Sequence, residues 1–205
     1  MTRVVGPLER ELGTRLRDAY RIAIIGIGDE LNPVDRLGVL AAREIEALGF
    51  PGVRVFLAGT LPESFTGPVR RTRPDAVLLL DAADMGLRPG TVLVIGAANI
   101  QGSRLSTHAL PLSVVMEFLR KTVRTRVILV GLQPDLRSRS RDPSPAEEAG
   151  LTHVVTVLHR ILARRVPPVN PLPSGGRWPT RAPRARGAAS ISRRPRTGLP
   201  RSRSR

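Results

Sequence analysis

The stretch RIAIIGIGDELNPVDRLGVLAAREIEAL, residues 21–48, decides the architecture. A β-branched run from Ile22 to Ile27 meets Gly26 and Gly28, the pattern of a strand feeding a tight turn. Beyond the turn, Leu37, Leu40, Ala41, Ile45 and Leu48 recur at helical spacing, which predicts a helix over 35–48. A dinucleotide-binding fingerprint would place a third glycine at position 31, where this chain has Leu31. Asp29, Glu30 and Asp35 follow the glycines instead, and carboxylates oppose a phosphate ligand.

The same alternation continues along the chain. Apolar runs predict further strands at 52–58, 75–82, 90–96 and 125–132. The nearness of 90–96 to the strand before it suggests an antiparallel hairpin-like or edge placement. Helices are predicted over HALPLSVVMEFLRKT (108–122) and SPAEEAGLTHVVTVLHRILARR (144–165). In the second, Ser144 stands as N-cap, Pro145 at the first position and Glu147 at the third, a capping box. Near-continuous apolar strands between helices imply an α/β fold, a three-layer sandwich whose mostly parallel five-stranded sheet is flanked by helices. Residues 1–20 form an N-terminal extension with room for a short amphipathic helix, and residues 21–165 form the α/β domain.

Charge divides the chain differently. Of its 205 residues 33 are basic and 17 acidic, a net of +16, which suggests nucleic-acid binding at first sight. Residues 166–205, however, hold 10 arginines and no acid, leaving a net of +6 in residues 1–165. The Pro-, Arg-, Ser- and Gly-rich tail has too little apolar surface to fold and is expected to be disordered. Lys121 is the only lysine, so the arginine bias is as well explained by a GC-rich coding sequence as by phosphate contacts. Apart from Trp178 the tail lacks stacking aromatics, and specific nucleic-acid recognition is not expected. The absence of cysteine excludes disulfides, thiolate metal sites and thiol catalysis. No stretch has the apolar length of a signal peptide or membrane span, so the expected location is the cytoplasm, with no membrane partner.

In open α/β sheets ligands gather beyond the carboxyl ends of the strands. There the chain places GIGDELNPVD, AGTLPES, LDAADMG, QGSRLSTHALPL and GLQPD. Asp35 opens a helix, where capping alone would explain a carboxylate. Asp81 closes the apolar run VLLLD, where a carboxylate is desolvated and needs a partner. His108 opens another helix, a place that favours a neutral imidazole able to ligate metal. Singly, each has an ordinary structural explanation. Together, two carboxylates and an imidazole suit a divalent transition metal such as nickel or zinc. HExxH, GxSxG and Walker A patterns are all missing. His153 and His159, six apart on the last helix, are expected at the surface.

The ordered motifs GIGDELNPVDRLGV, GTLPESF, VLLLDAADMGLRPGTV, STHALPL and GLQPD resemble those of the hydrogenase maturation endopeptidases, over about residues 21–165. The resemblance is nearest to the branch serving formate-hydrogenlyase-type nickel–iron hydrogenases. It implies a peptidase that removes the C-terminal extension of a hydrogenase large-subunit precursor after nickel insertion. By position, it places the family's metal contacts on Asp35, Asp81 and His108, with Asp35 and Asp81 also the candidate catalytic groups, their roles unassigned. It further implies that nickel arrives with the precursor, that no organic cofactor is needed, and that the protein is a monomer. A noncatalytic metal-probing chaperone of hydrogenase assembly would share these features. Asp29, Val34 and Arg36 depart from the family pattern, Arg36 standing where a small residue is common.

Overall fold

The computed structural model describes residues 6–96, 104–105 and 111–165. The elements in order are α1 (Pro7–Arg15), β1 (Ile22–Ile27), α2 (Leu37–Leu48), β2 (Val53–Gly59), a 3-10 turn (Pro62–Phe65) leading into α3 (Thr66–Arg71), β3 (Ala76–Asp84), β4 (Val92–Ile95), β5 (Arg104–Leu105), α4 (Leu112–Val123), β6 (Arg126–Leu132) and α5 (Pro145–Ala163). The main sheet runs β2-β1-β3-β6-β4. Its first four strands are mutually parallel and β4 is antiparallel to β6. The two-residue β5 pairs antiparallel with the end of β3.

Strand alternation divides the core into two layers, because successive side chains point to opposite faces. Ile22, Ile24, Leu78, Leu80, Ile128 and Val130 pack on one side with α1, α2 and α5. Ala23, Ile25, Ile27, Leu79 and Leu129 pack on the other with Val69 of α3 and with Leu112, Met116 and Leu119 of α4. The inner strands β1, β3 and β6 are therefore buried on both faces, as their unbroken apolar runs require, while the edge strand β2 is only partly covered.

Four details differ from the sequence reading. The fourth strand lies at the edge and is antiparallel, but its neighbour is β6 rather than the preceding strand, so no hairpin forms. Helix α4 begins at Leu112, with Pro111 extended (φ −56°, ψ 133°) as its N-cap. A proline lacks the N–H that a helix interior uses, so this helix does not begin at 108. The 3-10 turn and α3 escape the periodicity test because Gly67 and two prolines break PESFTGPVRR, and buried Val69 anchors it. Finally, α2 starts two residues late, at Leu37, which changes the meaning of Asp35. The expected tail, 166–205, lies outside the described residues, as does His108.

Candidate active site

The loop after β1 folds back on itself. Gly28 has φ +122°, open to glycine and strained for other residues, and a Cβ there would sit 1.7 Å from the Asp35 carbonyl oxygen. This approach carries Asp35 over the end of β1, where it is buried, 5% exposed. Its Oδ2 accepts the Asp29 N–H at 3.1 Å. Asp29 in turn accepts the Leu31 N–H through Oδ1 at 2.9 Å, and Asn32 accepts the Val34 N–H at 3.2 Å. The N-cap of α2 is Arg36, with no side-chain capping bond. Asp35 therefore closes the loop, one residue ahead of the N-cap position of α2.

Asp81 arrives from the neighbouring strand. It is fully buried, and by alternation it shares a face with Leu79 and Ala83, the side covered by α4. The first turn of α2 is pressed against it. A Cβ on Gly38 would lie 2.7 Å from the Asp81 Cα, 2.2 Å from the Leu80 oxygen and 2.5 Å from the Ile27 oxygen. Only a glycine allows the helix start to sit on the ends of β1 and β3 at once. The structure thus brings the Asp35 loop and Asp81 to one carboxyl edge. His108, the third expected ligand, lies outside the described residues, among which no group of three or more metal-ligating side chains converges.

Three buried polar residues shape this edge, and sequence reasoning gave none of them that part. Gln133, 2% exposed, accepts the Met85 and Leu87 N–H groups through Oε1 at 2.7 and 3.2 Å, fixing the loop after β3. Arg36, 1% exposed, donates to the Ser140 and Asp142 carbonyls at 2.8 and 2.9 Å. Its Nη2 lies 3.6 Å from the buried Glu147 carboxylate. The capping box at Ser144 and Glu147 forms as the sequence predicts. Glu147 does more: it also accepts the Asp135 N–H at 3.0 Å. The only hints in the sequence were Gln133 inside GLQPD and the unusual Arg36.

Exposed leucines stand among charged residues on the rim beyond these groups. Leu31, Leu61, Leu87 and Leu136 follow β1, β2, β3 and β6 in turn and are exposed. His153 is exposed as expected, whereas His159 is half-buried against Phe50, ring centroids 5.7 Å apart. Burial, and secondarily Arg160, pushes the His159 imidazole below its ordinary range.

The fold and the sequence of this chain are both similar to those of known proteins. Residues 39–159 match the family model described as HycI, hydrogenase maturation protease. The chain belongs to the hydrogenase maturation protease family. It is similar to the hydrogenase 3 maturation protease of Escherichia coli K12, at 31% identity over 114 residues, 55% of this chain and 72% of the relative. It is also similar to the crystal structure of the [NiFe] hydrogenase maturation protease HycI from Thermococcus kodakarensis KOD1, with 28% identity and a TM-score of 0.67, over 75% of this chain and 99% of that one. The E. coli endopeptidase HybD shares the fold, with a TM-score of 0.58 at 24% identity over 73% and 98% of the two chains. As a member of this family the chain is a peptidase, and none of its described helices is long and apolar enough to cross a membrane.

Proposed function

We propose that this peptidase removes the C-terminal extension of a nickel–iron hydrogenase large-subunit precursor once that precursor carries nickel. The observation that carries the reading is the burial of Asp35 and Asp81 at one carboxyl edge, under loops that carry exposed leucines. A desolvated carboxylate is expensive unless a cation or hydrogen-bond donors compensate it. Hard oxygen donors with the imidazole of His108 would suit a divalent metal still held by the precursor's own ligands. The exposed leucines Leu31, Leu61, Leu87 and Leu136 offer apolar contacts of the kind a protein substrate uses.

On this reading the metal belongs to the substrate and reports whether the precursor is ready. Asp81, fixed on a strand, positions the metal-bearing surface. Asp35, closed by its bond to Asp29, presents a second carboxylate from a loop held by glycine contacts. Either carboxylate has the chemistry of a general base toward water near the scissile bond. The protein is expected to act as a cytoplasmic monomer without an organic cofactor.

The test mixes purified protein with nickel-loaded and nickel-free precursor and follows the large-subunit mass. Cleavage of the loaded form alone is the expected result. Equal processing of both refutes metal-gated recognition. Tight binding to the loaded form with no processing would favour a metal-probing chaperone.

A further inference from the structure

The segment between β6 and α5, residues 133–144, has no helix or strand, yet it is anchored from beneath. Arg36 holds the carbonyls of Ser140 and Asp142, and Glu147 holds the N–H groups of Asp135 and Ser144 at 3.0 and 2.7 Å. The anchoring guanidinium and carboxylate are themselves buried. Burying two charges to shape a surface loop is a costly way to make a plain connection. The shape of the loop therefore matters.

Its outer face carries Arg137, Arg139 and Arg141, all exposed and alternating with serines. Arg139 donates to the adjacent Ser138 carbonyl, and none of the three pairs with a carboxylate among the described residues. Among the described residues some exposed cations elsewhere find acids, as in Arg15–Glu11, Arg43–Glu30 and Lys121–Glu117, and others such as Arg54, Arg88 and Arg126 do not. Only in 137–141, among those residues, do three such unpaired arginines alternate along a loop anchored from beneath. Alternate residues of an extended chain are at most about 7 Å apart, within a Debye length, so the three charges repel one another until an anion joins them. Because Arg36 directly follows Asp35, the charged loop stands beside the candidate active site.

We propose that residues 137–141 form a cationic arm that docks an acidic segment of the precursor protein next to the site. This rests on the function proposed above and names the feature that chooses the precursor. An acidic protein segment fits better than a nucleic acid, because residues 133–144 contain no aromatic side chain on which a base could stack. The neighbouring Leu136 and Leu87 also offer an apolar contact beside the charges.

The triple variant R137E/R139E/R141E tests the arm at exposed positions, with its thermal transition checked against the parent protein. With nickel-loaded precursor, KM is expected to rise about tenfold while kcat holds, and the salt dependence of KM should weaken, since rim charges act mainly on encounter. In parallel, the parent protein should bind an oligoglutamate peptide at low salt and the variant should not. An unchanged KM in an active enzyme overturns the proposal whatever the peptide does. Binding of single-stranded RNA more tightly than oligoglutamate of equal charge overturns it as well. If the parent protein cleaves no precursor, the proposed function falls and the peptide titration alone decides the arm: loss of binding in the variant supports it, equal binding overturns it.

Discussion

The two ends of the parallel sheet treat charge in opposite ways. At the amino ends, Arg21, Arg70, Arg73, Asp75 and Arg124 line a shallow recess open to water. Asp75 there accepts the N–H groups of Tyr20 and Arg21 at 3.0 and 2.8 Å and pairs with the Arg21 guanidinium at 2.9 Å. At the carboxyl ends, Asp35, Asp81, Arg36 and Glu147 are withdrawn from solvent. An exposed pair ties neighbouring turns together at little expense. A set of buried charges needs compensation, and such sets concentrate where chemistry or recognition uses them. The comparison teaches that the two ends differ less in how many charges they carry than in how far those charges are withdrawn from water.

The largest expected effect separates the two ends directly. Asp81→Asn keeps nearly the same shape but removes the anionic charge, so precursor cleavage should fall by roughly a hundredfold or more with the fold retained. Asp75→Asn, at the other end, should leave cleavage unchanged. Mass analysis of the precursor beside circular dichroism of each variant checks both, and equal loss of activity would break the contrast.

The next effect is on stability. Arg36→Ala leaves the Glu147 carboxylate buried without its cation, which should lower unfolding free energy by about 3–5 kcal/mol in urea titrations. The double variant R36M/E147M should recover part of that loss, since an apolar pair removes both charges together. If Arg36→Ala is neutral, the buried pair does not anchor the arginine loop.

A smaller effect lies between the two ends, where α2 meets α5. Burial, and secondarily Glu148, pushes the Glu44 carboxyl up to about 7 from an ordinary 4.5. The folded protein then holds a proton that the unfolded chain releases. Glu44 thus contributes stability fully below pH 4.5, and the contribution is lost as pH rises through 7. Glu44→Gln should remove that slope and stabilise the protein at pH 8 relative to the parent. Melting curves from pH 5 to 8 measure it, and parallel curves for the two proteins would contradict it.

The smallest effect belongs to Asp75 itself. Hydrogen bonding to the Arg21 side chain, then to its backbone, holds the Asp75 carboxyl below its ordinary 3.8. Its contribution is present above that value and disappears as acid carries the pH down through the lowered one. Asp75→Asn should therefore change melting only slightly at neutral pH, and the difference should shrink as the pH falls below 3.8.

Legibility followed the period of the pattern. Strands β1, β3 and β6 and helices α2 and α5 were readable because their apolar repeats are long and their turns carry glycine, proline or a capping box. Helix α3 was not, since six residues with a glycine and a proline leave no period to detect. Asp35 and Asp81 stood out by position, one after a glycine turn and the other ending an apolar strand. Gln133, Arg36 and Glu147 did not, because apart from the local capping box the partners that define their roles lie far along the chain, as with Leu87 for Gln133 and Glu147 for Arg36.

By itself the sequence determined the α/β class, the order of the main strands and of the helices α2, α4 and α5, and the placement of Asp35 and Asp81 after two of those strands. These follow from local periodicity and from residues adjacent in the chain, which need no knowledge of the distant fold. Only the tertiary structure decided that β4 pairs with β6, that Asp35 closes a loop one residue ahead of the α2 N-cap, and that Arg36 reaches under the 133–144 segment to Glu147. Each of these depends on burial and on hydrogen bonds between residues that folding alone brings together.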